Sequence, residues 1–228
     1  MIQLISNTGI GKRKENQDVI LMEELVLDSN LFLIVDGMGG YEHGKKAAEI
    51  ISDSIYNYLK NCKDINSEKI DEAIIKANLA IKNFNTINKS KSGATIGGVI
   101  RSKNHSSIFW VGDVSIILFN ENKVVFKSKS HSLVNDMIDA GNLVSAENLE
   151  KYKHIVTKSI SGKREIILKS YMEFENNDFD KLLICSDGVT DTISIMNFIK
   201  IEIDEINNYL EEKAKDNYSY ILVSETKS

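Results

Sequence analysis

The sequence predicts an α+β fold in which antiparallel sheets are covered by helices. Three observations predict it. Apolar runs of strand length occupy the first 37 residues and return between 94 and 128. Between them stand two stretches with helical spacing. Ala47, Ile51, Ile55, Tyr58 and Leu59 form one stripe, and Ile70, Ala73, Ile74, Ala77, Ile81 and Phe84 form the next. The resulting order is strands, two helices, many strands, helices and a strand, which is not the regular alternation of βαβ units. A sandwich of two sheets with helices outside is one solution.

Taken in order, "MIQLISNTG" and "DVILMEE" are short strands. "LFLIVDG", residues 31–37, is a continuous apolar run, as expected of a strand covered on both faces. The two helical stripes are core packing and carry no chemistry. "ATIGGVIR", "SSIFWVGD", "SIILFN" and "KVVFKS" are strands, and "FNENK" is the hairpin turn between the last two. Residues 131–150 read as helical with a break at Gly141 and Asn142. "EIILKSYMEF" (165–174) and "KLLICSDG" (181–188) return to strand. Residues 193–215 read as one helical stretch, and "NYSYILVSE" (217–225) is the last strand. With no linker, repeat or low-complexity tract, a single domain over 1–228 is expected.

Composition narrows the classes. Hydrophobic content of 42% and charged content of 27% suit a soluble globular protein. No apolar run approaches the ~20 residues of a membrane helix, and the N-terminus lacks the pattern of a secretory signal. Two cysteines, Cys62 and Cys185, make no disulfide framework, so a reducing cytoplasm is expected. A net charge of -5 argues against a dedicated nucleic-acid binder. Proline is absent, which reads as compositional drift.

Aspartates collect at strand edges. Asp36 and Asp187 end long apolar runs and precede glycines, Asp113 follows "WVG", Asp216 precedes the last strand, and Asp18 enters the second. Asp-Gly is also a common turn dipeptide, and a scaffold that uses only such turns is the bland alternative. Five converging carboxylates repel one another and call for a cation. Hard divalent ions such as Mg²⁺ accept carboxylate, carbonyl and water oxygens. The four histidines are scattered without metal-ligand spacing and read as surface or satisfied side chains. Cys185 has Asp191 six residues on, where a cysteine phosphatase loop needs arginine, so it reads as a core cysteine. "DGMGGYEHGKK" lacks the spacing of a nucleotide P-loop.

These pieces, in this order, resemble the metal-dependent serine/threonine protein phosphatases of the PP2C (PPM) family in their bacterial form. The resemblance rests on "GKRKENQD", "VDGMGG", "SGATIGGVI", "FWVGDVSIILF", "SHSLVNDMIDAGNLVSAEN", "LLICSDGVTD" and "DNYS", and spans residues 7–223. It implies an α-β-β-α sandwich of two mainly antiparallel sheets flanked by helices, with a two-metal site for Mn²⁺ or Mg²⁺ at one end. Asp36 would bridge the metals and Gly37 would offer its carbonyl. Asp187 and Asp216 would complete the first shell, and Gln17 would stand in the second metal's outer shell. Asp18 would orient nearby waters, Asp113 with Asp187 would form a third metal site, and Arg13 would hold the substrate phosphate.

The implied reaction is hydrolysis of phosphoserine or phosphothreonine by attack of a metal-bridging hydroxide, with Asp36, Asp187 and Asp18 as the catalytic set. The implied partners are a phosphorylated protein and a cognate kinase, with neither nucleic acid nor membrane. Three departures stand out. Gln17 replaces an acidic residue found in many members, Met38 stands where eukaryotic members place a histidine, and Ser115 takes the arginine position of Gly-Asp-Ser-Arg. They leave a second class open: a catalytically weak or inactive regulatory module of the same fold, binding a phosphoprotein partner. Residues 131–155 read as a flap beside the site.

Overall fold

The computed structural model describes residues 2–26, 28–38, 43–142, 145, 149, 151–166 and 170–225. Among these residues ten strands form two five-stranded antiparallel sheets. The first holds β1 (Ile2–Gly9), β10 (Tyr218–Glu225), β9 (Lys181–Cys185), β6 (Ser115–Asn120) and β7 (Lys123–Lys127), in that order. The second holds β2 (Val19–Glu24), β3 (Asn30–Met38), β4 (Gly93–Arg101), β5 (His105–Val111) and β8 (Tyr171–Glu175).

Strand alternation builds the layers, because successive side chains point to opposite faces. On β3, Leu31, Leu33 and Val35 face α1 (Gly44–Leu59) and α2 (Ser67–Asn88), whose Ile51, Ile55, Ile74 and Ile81 complete that core. Phe32 and Ile34 face the other way and pack between the sheets with Ile116, Leu118, Leu182, Ile184 and Ile221. On β9 the alternate residues Leu183 and Cys185 turn outward. They meet Val189 of α4 (Asp187–Thr192), Phe198 of α5 (Ile195–Phe198) and Leu210 of α6 (Ile203–Lys213). The four layers are therefore helices, sheet, sheet and helices. The expected α-β-β-α sandwich is what forms, and a strand buried on both faces explains the unbroken apolar run before Asp36.

The β6–β7 hairpin closes on Glu121 and Asn122, with Asn120 paired to Lys123. Both turn residues have positive φ, 51° and 62°. This is the conformation a two-residue hairpin needs to match strand twist. The break at Gly141 and Asn142 is a helix stop after α3 (Leu133–Asp139). Gly141 has φ 78°, and Asn142 N–H donates to Met137 O at 3.0 Å, the 6→1 bond of a left-handed cap. Much of the stretch expected to stay helical beyond it, and residues 167–169 of the expected strand 165–174, lie outside the described residues.

Three expectations need correction. Among the described residues, the strand expected over 165–174 is regular at Tyr171–Glu175 and not at 165, 166 or 170. The stretch 193–215 is two helices, not one. Its buried residues Ile193, Phe198, Ile206 and Leu210 do not share one stripe at 3.6 residues per turn, so a single helix would leave part of the set in water. The chain breaks between them, where Glu202 is extended. "KLLICSDG" is strand only to Cys185, and Asp187 opens α4.

Glu121 is the uneasy residue of the hairpin, since a side chain in the left-handed region costs about 1–2 kcal/mol. Replacing Glu121 by Asn and Asn122 by Gly is expected to raise unfolding stability by about 1 kcal/mol, measured by urea denaturation.

Candidate metal centre at one end of the sandwich

Register brings the aspartates together. Val19 pairs Val35, Asp36 pairs Thr95, Ile96 pairs Val111, and Cys185 pairs both Ser115 and Tyr220. The start of β2, the end of β3, the β5–β6 loop, the end of β9 and the start of β10 thus lie at one end of the two sheets. Asp18, Asp36, Asp113, Asp187 and Asp216 sit on those five segments.

Neither Asp-Gly pair is a turn. Asp36 and Gly37 lie inside β3, whose pairing with β4 runs on to Met38↔Gly93. Asp36 continues the alternation of Phe32 and Ile34, so it projects into the space between the sheets where their apolar filling stops. Asp187 is the first residue of α4.

A cleft of about 610 Å³ opens there. Arg13, Gln17, Asp36, Gly37, Asp113, Asp187 and Asp216 all line it, as does Met38. Asp18 lies behind the wall and is 2% exposed. Its Oδ2 accepts from Ser186 Oγ at 2.9 Å, while Oδ1 has no hydrogen-bond partner. Lys45 Nζ donates to its main-chain carbonyl at 2.7 Å.

The carboxylates suffer from burial and from one another. Asp36 is driven well above the usual range by burial first, then by the charges of Asp18, Asp187, Asp113 and Asp216. Burial, with Asp113 and Asp216 next, pushes Asp187 up to about 7. Burial pushes Asp18 up to about 6 despite the Ser219 and Ser186 hydroxyls. Asp113 is also raised, by burial, and the nearby Thr95 hydroxyl offsets part of the rise without a hydrogen bond of good geometry.

This donor set fits hard divalent cations: several carboxylates short of countercharge, one buried carboxylate oxygen without a partner, and a glycine in their midst. Gly37 is required by space, since a Cβ there would lie 2.5 Å from Gly44 O and 2.7 Å from Gln17 O.

The loop from Ile10 to Gln17 forms one rim, with Lys12, Arg13 and Lys14 on the cleft wall. Arg13 grips Asp216 through both prongs, Nε to Oδ1 at 2.7 Å and Nη2 to Oδ2 at 2.5 Å. Gln17 donates from Nε2 to Glu15 at 3.2 Å. Asn217, unassigned in the sequence reading although "DNYS" holds it, clamps this loop. Its Oδ1 accepts from Gln17 N–H, and its Nδ2 donates to the carbonyls of Ile10 and Glu15, each at 2.9 Å. Gly11, at φ 57°, makes room, because a Cβ there would lie 2.1 Å from Asp216 O.

His154 is an exposed histidine, as expected, but it stands at the site. It lines the cleft, and its ring reaches Asp191 at 3.5 Å. Ligand-capable atoms of His154, Asp187 and Asp191 lie within 4.8 Å of one another. Cys185 is a core cysteine as expected: its thiol is fully buried and pushed up to about 12.

A family model described as protein phosphatase 2C matches residues 8–219. The protein phosphatase PhpP of Streptococcus pneumoniae is 26% identical, over 85% of this chain and 80% of its own length. Among solved structures, the serine/threonine phosphatase of S. agalactiae superposes with a TM-score of 0.88 at 23% identity, covering 99% of this chain and 100% of that one. The catalytic domain of the serine/threonine protein phosphatase PstP, solved with two manganese ions, gives 0.80 at 18% identity, covering 98% and 97%.

The raised carboxylates set the sign of a pH effect. Between the usual value of 3.8 and the folded values of about 6 for Asp18 and about 7 for Asp187, the folded state holds more protons than the unfolded. Their contribution to stability is present below that window and is lost as pH rises through it. Chelator-treated protein is therefore expected to lose melting temperature from these groups as pH rises toward 7. Asp187→Asn should flatten that slope, and Mn²⁺ should raise melting temperature more at pH 7.5 than at pH 5. Differential scanning fluorimetry across pH reads all three.

Proposed function

The chain belongs to the protein phosphatase 2C family, and from that premise we propose that it is a phosphoprotein phosphatase hydrolysing phosphoserine and phosphothreonine with divalent cations. One observation carries the reading: Asp36, Asp113 and Asp187, all pushed upward in pKa mainly by burial, face a cleft whose rim is basic, with Asp18 raised likewise behind the wall. A dianionic phosphate ester suits such a cleft only when cations cover its floor.

Asp36, the Gly37 carbonyl, Asp187 and Asp216 would hold two cations, Mn²⁺ or Mg²⁺, with Gln17 at an outer position and Asp113 joining Asp187 at a third. When bound, such cations supply Lewis acidity, which lowers the pKa of water toward neutrality and offsets charge on phosphoryl oxygens. The chain's own groups do the placing. β3 holds Asp36 rigid between two paired strands. Ser186 orients Asp18 behind it. Arg13, flanked by Lys12 and Lys14, has the planar fork that grips two phosphate oxygens. Met38 has no proton to give the departing alkoxide.

A single domain over 1–228 would carry the activity, with a phosphorylated protein as substrate and a kinase as the source of its phosphate. One observation favours a second reading, a phosphoprotein-binding module with little turnover. Arg13 already neutralises Asp216, so a cation must compete for that carboxylate.

Hydrolysis of p-nitrophenyl phosphate and of a phosphothreonine peptide separates the two. Activity stimulated by Mn²⁺, abolished by chelator, and reduced about a thousandfold in Asp36→Ala or Asp187→Ala is the expected result, since several kcal/mol of barrier lowering is at stake. A folded protein that binds the peptide but gains no turnover from Mn²⁺ would make it the binding module.

Arg13→Ala is expected to act mainly through substrate. Losing charge-assisted bonds to phosphate should lower kcat/KM about ten- to a hundredfold, chiefly by raising KM. Steady-state kinetics at saturating Mn²⁺ checks it, and an unchanged KM would remove Arg13 from the phosphate site.

A further inference from the structure

His131 lies outside the cleft lining, yet it bonds Gly112 and Thr157, the neighbours of cleft-lining Asp113 and Val156. Its main-chain N–H donates to Gly112 O at 2.8 Å, and its main-chain O accepts from Thr157 N–H at 2.9 Å. Its ring Nδ1 accepts from Gly112 N–H at 3.0 Å, and Nε2 lies 2.9 Å from Ser170 Oγ. A backbone N–H can only donate, so Nδ1 must carry a lone pair. The proton of the neutral ring is then on Nε2, donated to Ser170.

The residue so gripped is the one before Asp113. Gly112 sits at φ 107°, and a Cβ there would lie 2.3 Å from Thr95, the residue paired with Asp36. The turn is therefore pressed onto the strand beside Asp36, and both hydrogen-bonding groups of Gly112 are held by His131. Through Thr157, next to cleft-lining Val156, the same histidine ties in a second segment of the cleft wall. Ser132↔Val156 pairing and a 2.8 Å bond from Leu133 N–H to Ile155 O continue that tie.

We propose that His131 is a positioning residue, fixed in its Nε2–H tautomer, that holds the Gly112–Asp113 turn where Asp113 can share a cation with Asp187. The inference rests on the metal-dependent reading above. Burial, followed by the charge of Lys158, lowers the His131 pKa to about 4, which agrees with a ring that stays neutral.

Two substitutions split the ring's roles. In His131→Asn the side-chain oxygen stands near the place of Nδ1 and can still accept from Gly112. His131→Gln reaches toward Ser170 but offers no acceptor at the Nδ1 position. Full-length wild type, both variants and Asp113→Ala are titrated with MnCl₂ by calorimetry, and each is melted in EDTA. Partners of metal ligands typically change affinity tenfold or more, so His131→Gln should weaken the weakest Mn²⁺ class about tenfold, as Asp113→Ala does, while His131→Asn stays within about threefold of wild type. Equal effects of Asn and Gln, whether both absent or both large, overturn the proposal. So does a long-range ¹H–¹⁵N spectrum of wild type showing the Nδ1–H tautomer, a readout that needs no variant to fold. Wild type without saturable Mn²⁺ binding takes down the metal reading itself, whereas intact wild-type binding with Asn and Gln alike takes down only the role of His131.

Discussion

The working end of this fold is governed by the mutual repulsion of carboxylates in a place with little water. Asp36 stands where two sheets stop filling the space between them, and Asp18, Asp113, Asp187 and Asp216 all raise its pKa. Such an arrangement is unfavourable unless protons or cations share the charge. No surface rearrangement can relieve it, because each aspartate is attached to a strand end or helix start whose position the cores dictate. The inter-sheet core fixes β3 against β4, and the outer core under α4–α6 fixes β9 and β10.

The surrounding polar groups make sense as braces against that repulsion. Ser186 Oγ donates to Asp18 and accepts from Ser219 N–H, so one hydroxyl links β9, β10 and the start of β2. Asn217 spends its amide on the main chain of the rim loop rather than on a carboxylate, leaving Asp216 turned toward the cleft. His131 does the corresponding work for the Asp113 turn. In each case a neutral side chain holds backbone, while of the five carboxylates Asp18 accepts from the Ser186 side chain and Asp216 from that of Arg13.

The sequence made the layers legible because strand alternation and helical spacing are local signals. It made the aspartates legible as strand-edge residues, but not their geometry. That Asp36-Gly37 is strand and not turn depends on β4 continuing to pair past it, which no local pattern encodes. Asp187 carried a readable sign, a serine before it in the N-cap position, yet the apolar run masked the helix start. His154 carried none. It reaches the cleft only because the chain after α3 returns to pair at Val156. The single helix read over 193–215 failed because its buried residues do not share one helical stripe, and the chain breaks at the extended Glu202 to bring them onto one core.

The departures from the resembled pattern also acquire physical meaning. Ser115 at the expected arginine position begins β6, and Val114 beside it is 1% exposed in the inter-sheet core, so packing there closes without a buried guanidinium. Positive charge near the carboxylates comes instead from Lys45 beside Asp18 and from Arg13 on a loop that is pinned to the residue after Asp216. Arg13 and a cation are alternative countercharges for Asp216.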